Sequence, residues 1–338
     1  MRAVITGGCG FIGQHVVSLL CTKYGAENVY VLDICDSVAT GWNDVRDLIG
    51  SNLVLGNVIT VDEVSEILQK ARPDVVLHLA AQSHVDKSLD DPASTMIVNA
   101  VGTQVVSTVC AKLGIKMLYC STDEVYGDCA LDSLTVIEKL ESCRLNPSSP
   151  YSAGKAAGEL AVKASGRSLG LEWAITRGCN AWGLGQYNEK LVPIACRLLN
   201  NNKPVPIHGS GAQQRQWVHV LEFAAQLVFV AEGLVDGRCI GQTYNIAGPI
   251  ICSVLDVVKA IAKVAEVADS HRFVTDRAGQ DLAYAINGNK LAELGSSVAV
   301  RSILDPKEIK GLLLAYGDGA VNLASYVVRT YNQESSHA

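Results

Sequence analysis

The stretch CSTDEVYG, residues 120–127, carries a hydroxyl (Thr122), two adjacent carboxylates (Asp123, Glu124) and a phenol (Tyr126). Two neighbouring carboxyl groups can divide acid and base duties when their surroundings push their proton affinities apart. They follow the apolar run IKMLYCS, which reads as a buried strand. Strand ends are where open α/β sheets commonly place chemistry. A second group lies in SPYSAGKAAGE, where Tyr151 and Lys155 are spaced i, i+4 and share one helical face. A phenol titrates near ~10 and is a weak base at neutrality. The positive charge of an ammonium and of an oxidised nicotinamide beside it lowers that value.

A third group is the loop TGGCGFIG, in which Gly7, Gly10 and Gly13 form G-x-x-G-x-x-G between a strand and a helix, with Phe11 and Ile12 between the last two. Glycines there allow a tight turn and let backbone N–H groups approach a pyrophosphate at a helix N-terminus. Asp33 closes the next apolar run, NVYVLD, about twenty residues further on. A carboxylate there holds a ribose 2′-OH and repels a 2′-phosphate, which favours NAD over NADP.

These groups need a frame. RAVIT, NVYVLD, NLVLG, DVVLHLA, IKMLYCS and LEWAITR are Val/Ile/Leu-rich without clean alternation, as strands buried on both faces are. Helical patterns lie between them, at about 11–24, within 60–71, and at about 93–113 and 151–169. Repeated βα units predict an α/β fold, a Rossmann-type doubly wound parallel sheet with helices on both faces. Residues 1–177 then form the NAD-binding part, with later strands contributed from about 211–246. Residues 178–338 form a smaller, mostly C-terminal substrate-binding part, interleaved with it, with helices near 253–267 and 305–329.

With 49% hydrophobic and 18% charged residues, the 338-residue chain is globular rather than disordered. A net charge of −6 without a Lys/Arg block argues against nucleic acid and anionic membranes as partners. The eleven cysteines form no CxxC pair and have no histidine cluster at zinc spacing, so no metal is expected. They read as small buried hydrophobes of a reducing compartment. No apolar run reaches the ~18 residues of a membrane span. The expectation is a soluble, cytoplasmic protein.

The glycine loop, Asp33 and the Tyr151/Lys155 pair resemble the extended short-chain dehydrogenase/reductase family. HLAAQSHVDKS, STDEVYGD, NPSSPYSAGKAAGE, TRGCNAWGLGQYNEKLVP, GSGAQQRQW and DRAGQDLAYAINGNKLAELG resemble, in order, segments of its NAD-dependent nucleoside-diphosphate-glucose 4,6-dehydratases, the dTDP-glucose branch most closely. The resemblance covers about residues 1–295. It implies that Tyr151, aided by Thr122, takes the proton of the sugar 4-OH while NAD accepts the C4 hydride. Glu124 then removes the C5 proton, Asp123 protonates the departing 6-OH, and the hydride returns to C6. Lys155 would hold the nicotinamide ribose. Cofactor contacts would also come from Asn57 (towards the adenine), Val58, Leu79, Ala80, Ala81 and Ser83. Substrate contacts would come from Ser83, Thr122, Asn180, Lys190, Leu191, Pro206, Ile207, His208, Arg215, Asn245 and Arg277, with Arg215 at the diphosphate. His78 and His84 would be structural. A homodimer through the helices near 93–113 and 151–169 is implied as well.

Some positions depart from that pattern. Asn57 stands for a frequent Asp, Ala181-Trp182 for Asn-Tyr after Asn180, Gln216 for Asp, and Leu282 and Ala283 for arginines. These changes touch the nucleotide and diphosphate contacts and leave the core chemistry intact. Two other readings stay open, a UDP-sugar epimerase or decarboxylase and a non-catalytic NAD(H)-binding protein. Asp123 argues against the first, and the joint presence of Thr122, Asp123, Glu124, Tyr151 and Lys155 against the second.

Overall fold

The six apolar runs and TYNIA become the seven strands of one sheet. The computed structural model describes residues 1–36, 39–132, 135–268, 270–276, 281–297 and 299–317. Across the sheet the strands run Gln242–Ile246, Trp173–Gly178, Lys116–Thr122, Val75–His78, Ala3–Thr6, Val29–Asp33 and Leu53–Leu55. All neighbours pair in parallel. The central strands Ala3–Thr6 and Val75–His78 are buried at every position, which is why they do not alternate.

Helices cover both faces. Phe11–Tyr24 and Val220–Val235 pack on one, over a core that includes Val16, Leu20, Leu227 and Val230. Val61–Ala71, Thr103–Leu113 and Pro150–Leu169 pack on the other, around Ile67, Val106, Tyr119 and Val162. A separate core of Trp182, Val192, Ile207, Val257 and Ile309 fills the C-terminal part. Chain order reverses between Ala3–Thr6 and Val75–His78, and the crevice at such a reversal is where open α/β sheets bind ligands.

One expectation is corrected. Gln214–His219 does not join the main sheet. It pairs antiparallel with Ile250–Ser253 and in parallel with Ala283–Tyr284 and Asn180–Trp182, in a small mixed sheet. The helix expected at 305–329 is described as Pro306–Gly317, and the rest lies outside the described residues. The 22 residues Pro92–Leu113 are long and apolar enough to cross a membrane by length and composition alone. It is no unbroken apolar run, because polar Asn99, Thr103 and Ser107 interrupt it. Those three are buried, and the segment packs along Pro150–Leu169 as a layer of the fold.

Candidate active site

The loop after the first strand is shaped by contacts that no side chain permits. Gly7 is left-handed (φ +72°), and a Cβ on it would lie 2.7 Å from the Ala80 backbone nitrogen. A Cβ on Gly13 would fall 2.2 Å from the Gly7 carbonyl oxygen. The loop therefore presents bare backbone at the start of the helix Phe11–Tyr24, with Gly10 as its N-cap and Phe11 and Ile12 half-buried beside it. Asp33 clamps this loop. Its Oδ2 accepts from the Cys9 N–H and its Oδ1 from the Cys35 N–H, both at 2.9 Å. Burial raises its pKa, and these two N–H groups pull the other way. Each carboxylate oxygen keeps acceptor capacity for a ribose diol. The bare backbone and this carboxylate fit a dinucleotide. The two thiols meet above the clamp, Sγ to Sγ 3.8 Å.

The far wall of the crevice follows the strand Val75–His78. Leu79, Ala80 and Ala81 are half-buried there, and the Ala80 N–H reaches Thr6 Oγ1 at 3.3 Å. Asn57 Oδ1 accepts from the Ile59 N–H at 3.2 Å, which leaves one acceptor position on that oxygen. Val58 is buried. Burial pushes the His78 imidazole down to about 3, and its ring bonds to Thr6 and Thr103, so it stays neutral and structural. His84 faces Glu189 at 3.1 Å.

At the end of Lys116–Thr122 the chain makes one 3-10 turn, Asp123–Tyr126. Thr122 Oγ1 caps it by accepting from the Glu124 N–H at 3.3 Å. The same hydroxyl donates to Asp123 Oδ1 at 3.2 Å, and it acts on the Tyr151 phenol in the direction that lowers its pKa. Asp123 is 4% exposed, and its Oδ2 has no hydrogen-bond partner. Burial, together with the charge of Glu124, pushes its pKa up to about 7, although Arg215 opposes the shift. Asp123 is thus poised between its acid and its carboxylate form near neutrality, with one oxygen that makes no hydrogen bond, while Glu124 is the more exposed of the two.

Tyr151 and Lys155 open the helix Pro150–Leu169, which is started by a Ser149–Ser152 capping box and Pro150. Burial, and then the Glu124 charge, holds the Tyr151 phenol well above its ordinary value. This is opposite to the direction the Tyr–Lys spacing predicts from the ammonium. Burial brings Lys155 down to about 8, and its ammonium lies 4.4 Å from the Tyr119 ring centroid.

The expected substrate residues divide into three groups. Ser83 is exposed, and its carbonyl accepts from Lys190 Nζ at 3.1 Å, just before the helix that Leu191 begins. Asn180 donates to the Gln216 carbonyl at 3.3 Å. The Arg215 guanidinium is held by the carbonyls of Gln214 (2.8 Å) and Asp281 (3.1 Å) and stacks 4.5 Å over the Tyr284 ring. None of these is fully buried. Pro206 and His208 are half-buried on the strand Val205–His208, whereas Ile207 alternates inward, 1% exposed, so its side chain belongs to the C-terminal core and faces no site. Asn245 is also corrected. Wholly buried, it accepts from the Tyr126 hydroxyl at 2.8 Å and donates to the carbonyls of Lys139 and Asn287, which occupies its amide internally. Arg277 lies outside the described residues.

The departures have local reasons. Ala283 is fully buried in its strand and leaves no room for a cation, whereas Leu282 is 59% exposed. Gln216 bridges the Gly248 carbonyl and the Ile286 N–H, both at 2.9 Å, as a structural joint.

Sequence reasoning missed the buried pair beneath the site. Glu159 accepts from Arg177 in bidentate fashion, at 2.9 and 2.6 Å, and Arg177 also donates to the Tyr126 hydroxyl at 2.8 Å. The signal was present, since Tyr151, Lys155 and Glu159 repeat at i, i+4, i+8 on one helical face. Asn99 was missed too. It sits in the π-helical turn Ile97–Gly102 and holds the Gln82 backbone beside Ser83 with two hydrogen bonds, 2.8 and 3.0 Å.

Residues 3–247 match the model of the NAD dependent epimerase/dehydratase family. A dTDP-glucose 4,6-dehydratase of Salmonella typhimurium is 34% identical over 323 residues, which covers 87% of this chain and 88% of that protein. A trifunctional UDP-glucose 4,6-dehydratase of Arabidopsis thaliana is 34% identical over 302 residues, 86% of this chain and 44% of that longer protein. Among solved structures, a dTDP-glucose 4,6-dehydratase of Streptomyces venezuelae with NAD bound superposes with a TM-score of 0.83 at 31% identity, covering 94% of this chain and 97% of that one.

Proposed function

The chain belongs to the NAD dependent epimerase/dehydratase family, and from that premise we propose that it removes water from a nucleoside-diphosphate-glucose to give the 4-keto-6-deoxy sugar. The observation that carries this reading is Asp123, a buried carboxyl whose proton affinity is raised into the neutral range beside a second, more exposed carboxylate. Epimerisation at C4 needs only oxidation and re-reduction there, and leaves such a pair without a task.

Gly7, Gly10, Gly13 and Asp33 would hold the dinucleotide, with Leu79, Ala80 and Ala81 along its other side. Once bound, NAD supplies the oxidant for C4, the reductant for C6 and a positive charge beside the Tyr151 phenol. Ionised by that charge and by the Lys155 ammonium, Tyr151 would take the 4-OH proton as a phenolate, with Thr122 beside it. The resulting ketone acidifies the adjacent C5–H, and the Glu124 carboxylate removes that proton. Asp123 gives its proton to O6, which leaves as water, so the elimination releases one H₂O and leaves a C5–C6 double bond for reduction. Arg215 faces the diphosphate with a fork suited to two phosphate oxygens.

The nucleotide is a pyrimidine one, dTDP or UDP, a reading supported by the relatives with those names. The working unit is a homodimer. The outward faces of the two packed helices leave Ile97 at 46%, Val101 at 51% and Leu160 at 60% exposed, an apolar surface suited to a second copy. The compartment is the cytoplasm, where eleven unpaired thiols stay reduced.

Purified protein incubated with dTDP-glucose and with UDP-glucose tests the reaction. Alkali-induced near-ultraviolet absorbance of a 4-keto-6-deoxy sugar is expected with at least one of them. Formation of the C4 epimer without keto sugar would replace this reading by the epimerase one.

A further inference from the structure

We propose that Tyr126 is a positioning residue for the acid–base pair Asp123/Glu124, its hydroxyl clamped between Arg177 and Asn245 so that the turn carrying both carboxylates keeps one orientation. The inference rests on the dehydration reading, which gives those two carboxyl groups separate protons to move.

The turn Asp123–Tyr126 is a single 3-10 turn. Such a helix has ~3.0 residues per turn, so side chains at i and i+3 eclipse. Asp123 and Tyr126 are therefore stacked on one face, and both are buried, at 4% and 2%. Glu124 points about a third of a turn away. Rotating the turn would move both carboxyl groups together, and one 3-10 turn has too few hydrogen bonds to resist rotation alone. Its start is fixed by the Thr122 cap. At its end the Gly127 N–H donates to the Glu124 carbonyl at 3.1 Å. Gly127 is left-handed (φ +68°), and a Cβ there would lie 2.2 Å from the Asn146 carbonyl oxygen.

What locks the rotation is the phenol. Its oxygen accepts from Arg177 Nη1 and its hydrogen goes to Asn245 Oδ1, each at 2.8 Å. Neither partner can drift. The Asn245 amide is tied to the carbonyls of Lys139 and Asn287, and its backbone N–H donates to Glu141 at 2.8 Å. Arg177 is forked onto Glu159, one helical turn beyond Lys155 and two beyond Tyr151 on the same helix. Glu159 is wholly buried. One continuous chain of bonds thus runs from the acid–base turn to the helix of the other catalytic pair, and fixes their relative placement. Burial pushes the phenol up to about 12 against the pull of Arg177, so the clamp keeps one protonation state through the physiological range.

Tyr126→Phe keeps the ring and removes the clamp. Oxidation at C4, which uses Tyr151 and Thr122, should proceed, while elimination slows. The expected result is a roughly tenfold to hundredfold fall in kcat, the scale of a small misplacement of a reacting group. Reduced cofactor should accumulate in the steady state, seen by its near-ultraviolet absorbance. KM and the NAD content of the purified protein should stay unchanged. A merely structural tyrosine would lower Tm without that accumulation, and this outcome, or a wild-type kcat, overturns the proposal. If Tyr126→Phe does not fold, Arg177→Lys keeps the charge opposite Glu159, loses the fork, and must show the same accumulation, or the proposal falls. The wild-type protein is assayed first. If it forms no keto sugar, the dehydration reading fails, and the proposal with it, before any variant is compared.

Discussion

The loop around Gly7–Gly13 and the turn Asp123–Tyr126 each follow a buried strand of the same sheet, and they are specified by opposite means. In the loop the decisive contacts are backbone to backbone. The Gly13 Cα sits so close to the Gly7 carbonyl that a single added carbon has no place. In the turn the decisive contacts are between side chains, and charge decides them. Asp123 keeps its proton up to about pH 7 because it is buried beside Glu124, and Tyr126 is held by Arg177 and Asn245. A site built of backbone tolerates no change of shape. A site built of side chains tolerates isosteric change of shape and no change of charge or proton count.

The largest effect that this contrast predicts is Gly13→Ala. The new Cβ would lie 2.2 Å from Gly7 O and 2.8 Å from Gly8 Cα, all backbone, so the loop must move. Protein purified with this change should carry no NAD by mass spectrometry of the denatured sample, and turnover should vanish. Retained NAD at wild-type occupancy would show that the loop is softer than its packing implies.

Asp123→Asn is the counterpart in the turn. It keeps shape and removes the proton, and turnover should fall by ~10²–10⁴-fold with NAD occupancy intact. Reduced cofactor should build up, because C4 oxidation does not use Asp123. The same variant should stabilise the fold with a definite pH dependence. The native carboxyl binds its proton more tightly than an unfolded one, so the wild type loses stability as pH rises from the ordinary carboxylate range through about 7. Asparagine does not titrate. The Tm advantage of Asp123→Asn should therefore be small near pH 4, grow to about pH 7 and then level off. A constant advantage across that range would mean that Asp123 is ionised in the native protein.

The glycine loop and its aspartate were legible in the sequence because backbone geometry confines the residue types: only glycine fits at Gly7 and Gly13, and the spacing to Asp33 follows from one βα unit. The sheet was legible for the same kind of reason, as unalternating apolar runs have to be buried on both faces. The clamp under the catalytic turn was not. Glu159, Arg177 and Asn245 lie in a helix and two strands far apart in the chain, and only the tertiary fold puts them on one phenol. Resemblance assigned Asn245 to the substrate by its position in the family pattern, and its amide is spent on Tyr126, Lys139 and Asn287 within the protein. Ile207 failed likewise, because a substrate-side strand alternates and half of its side chains face the core.

A smaller effect tests the electrostatic coupling within the turn. Burial is the first cause of the raised Asp123 value and the Glu124 charge the second. Glu124→Gln removes the second cause only. The Asp123 carboxyl band, assigned in difference infrared spectra by its loss in Asp123→Asn, should titrate near pH 7 in the wild type and at a lower pH in Glu124→Gln, still above the ordinary carboxylate range. An unmoved midpoint would mean that burial alone sets it, and that the pair is not coupled.

The smallest effect belongs to the outer rim, where neither mode of specification operates strongly. Leu282 is 59% exposed, and its carbonyl lies 3.4 Å from Arg215 Nη1, next to the guanidinium assigned to the diphosphate. Leu282→Arg puts a second cation there without displacing buried groups, in contrast to Ala283, which has no room. A cation on an exposed rim is screened by solvent and contributes ~0.2–1 kcal/mol. KM for the nucleotide sugar should accordingly fall by about 1.4-fold to fivefold, the fall should fade at high salt, and kcat should not change. A change in kcat would show that the rim reaches the reacting carbons through Arg215, whose charge also acts on Asp123, and the division between a tolerant rim and an intolerant turn would have to be redrawn.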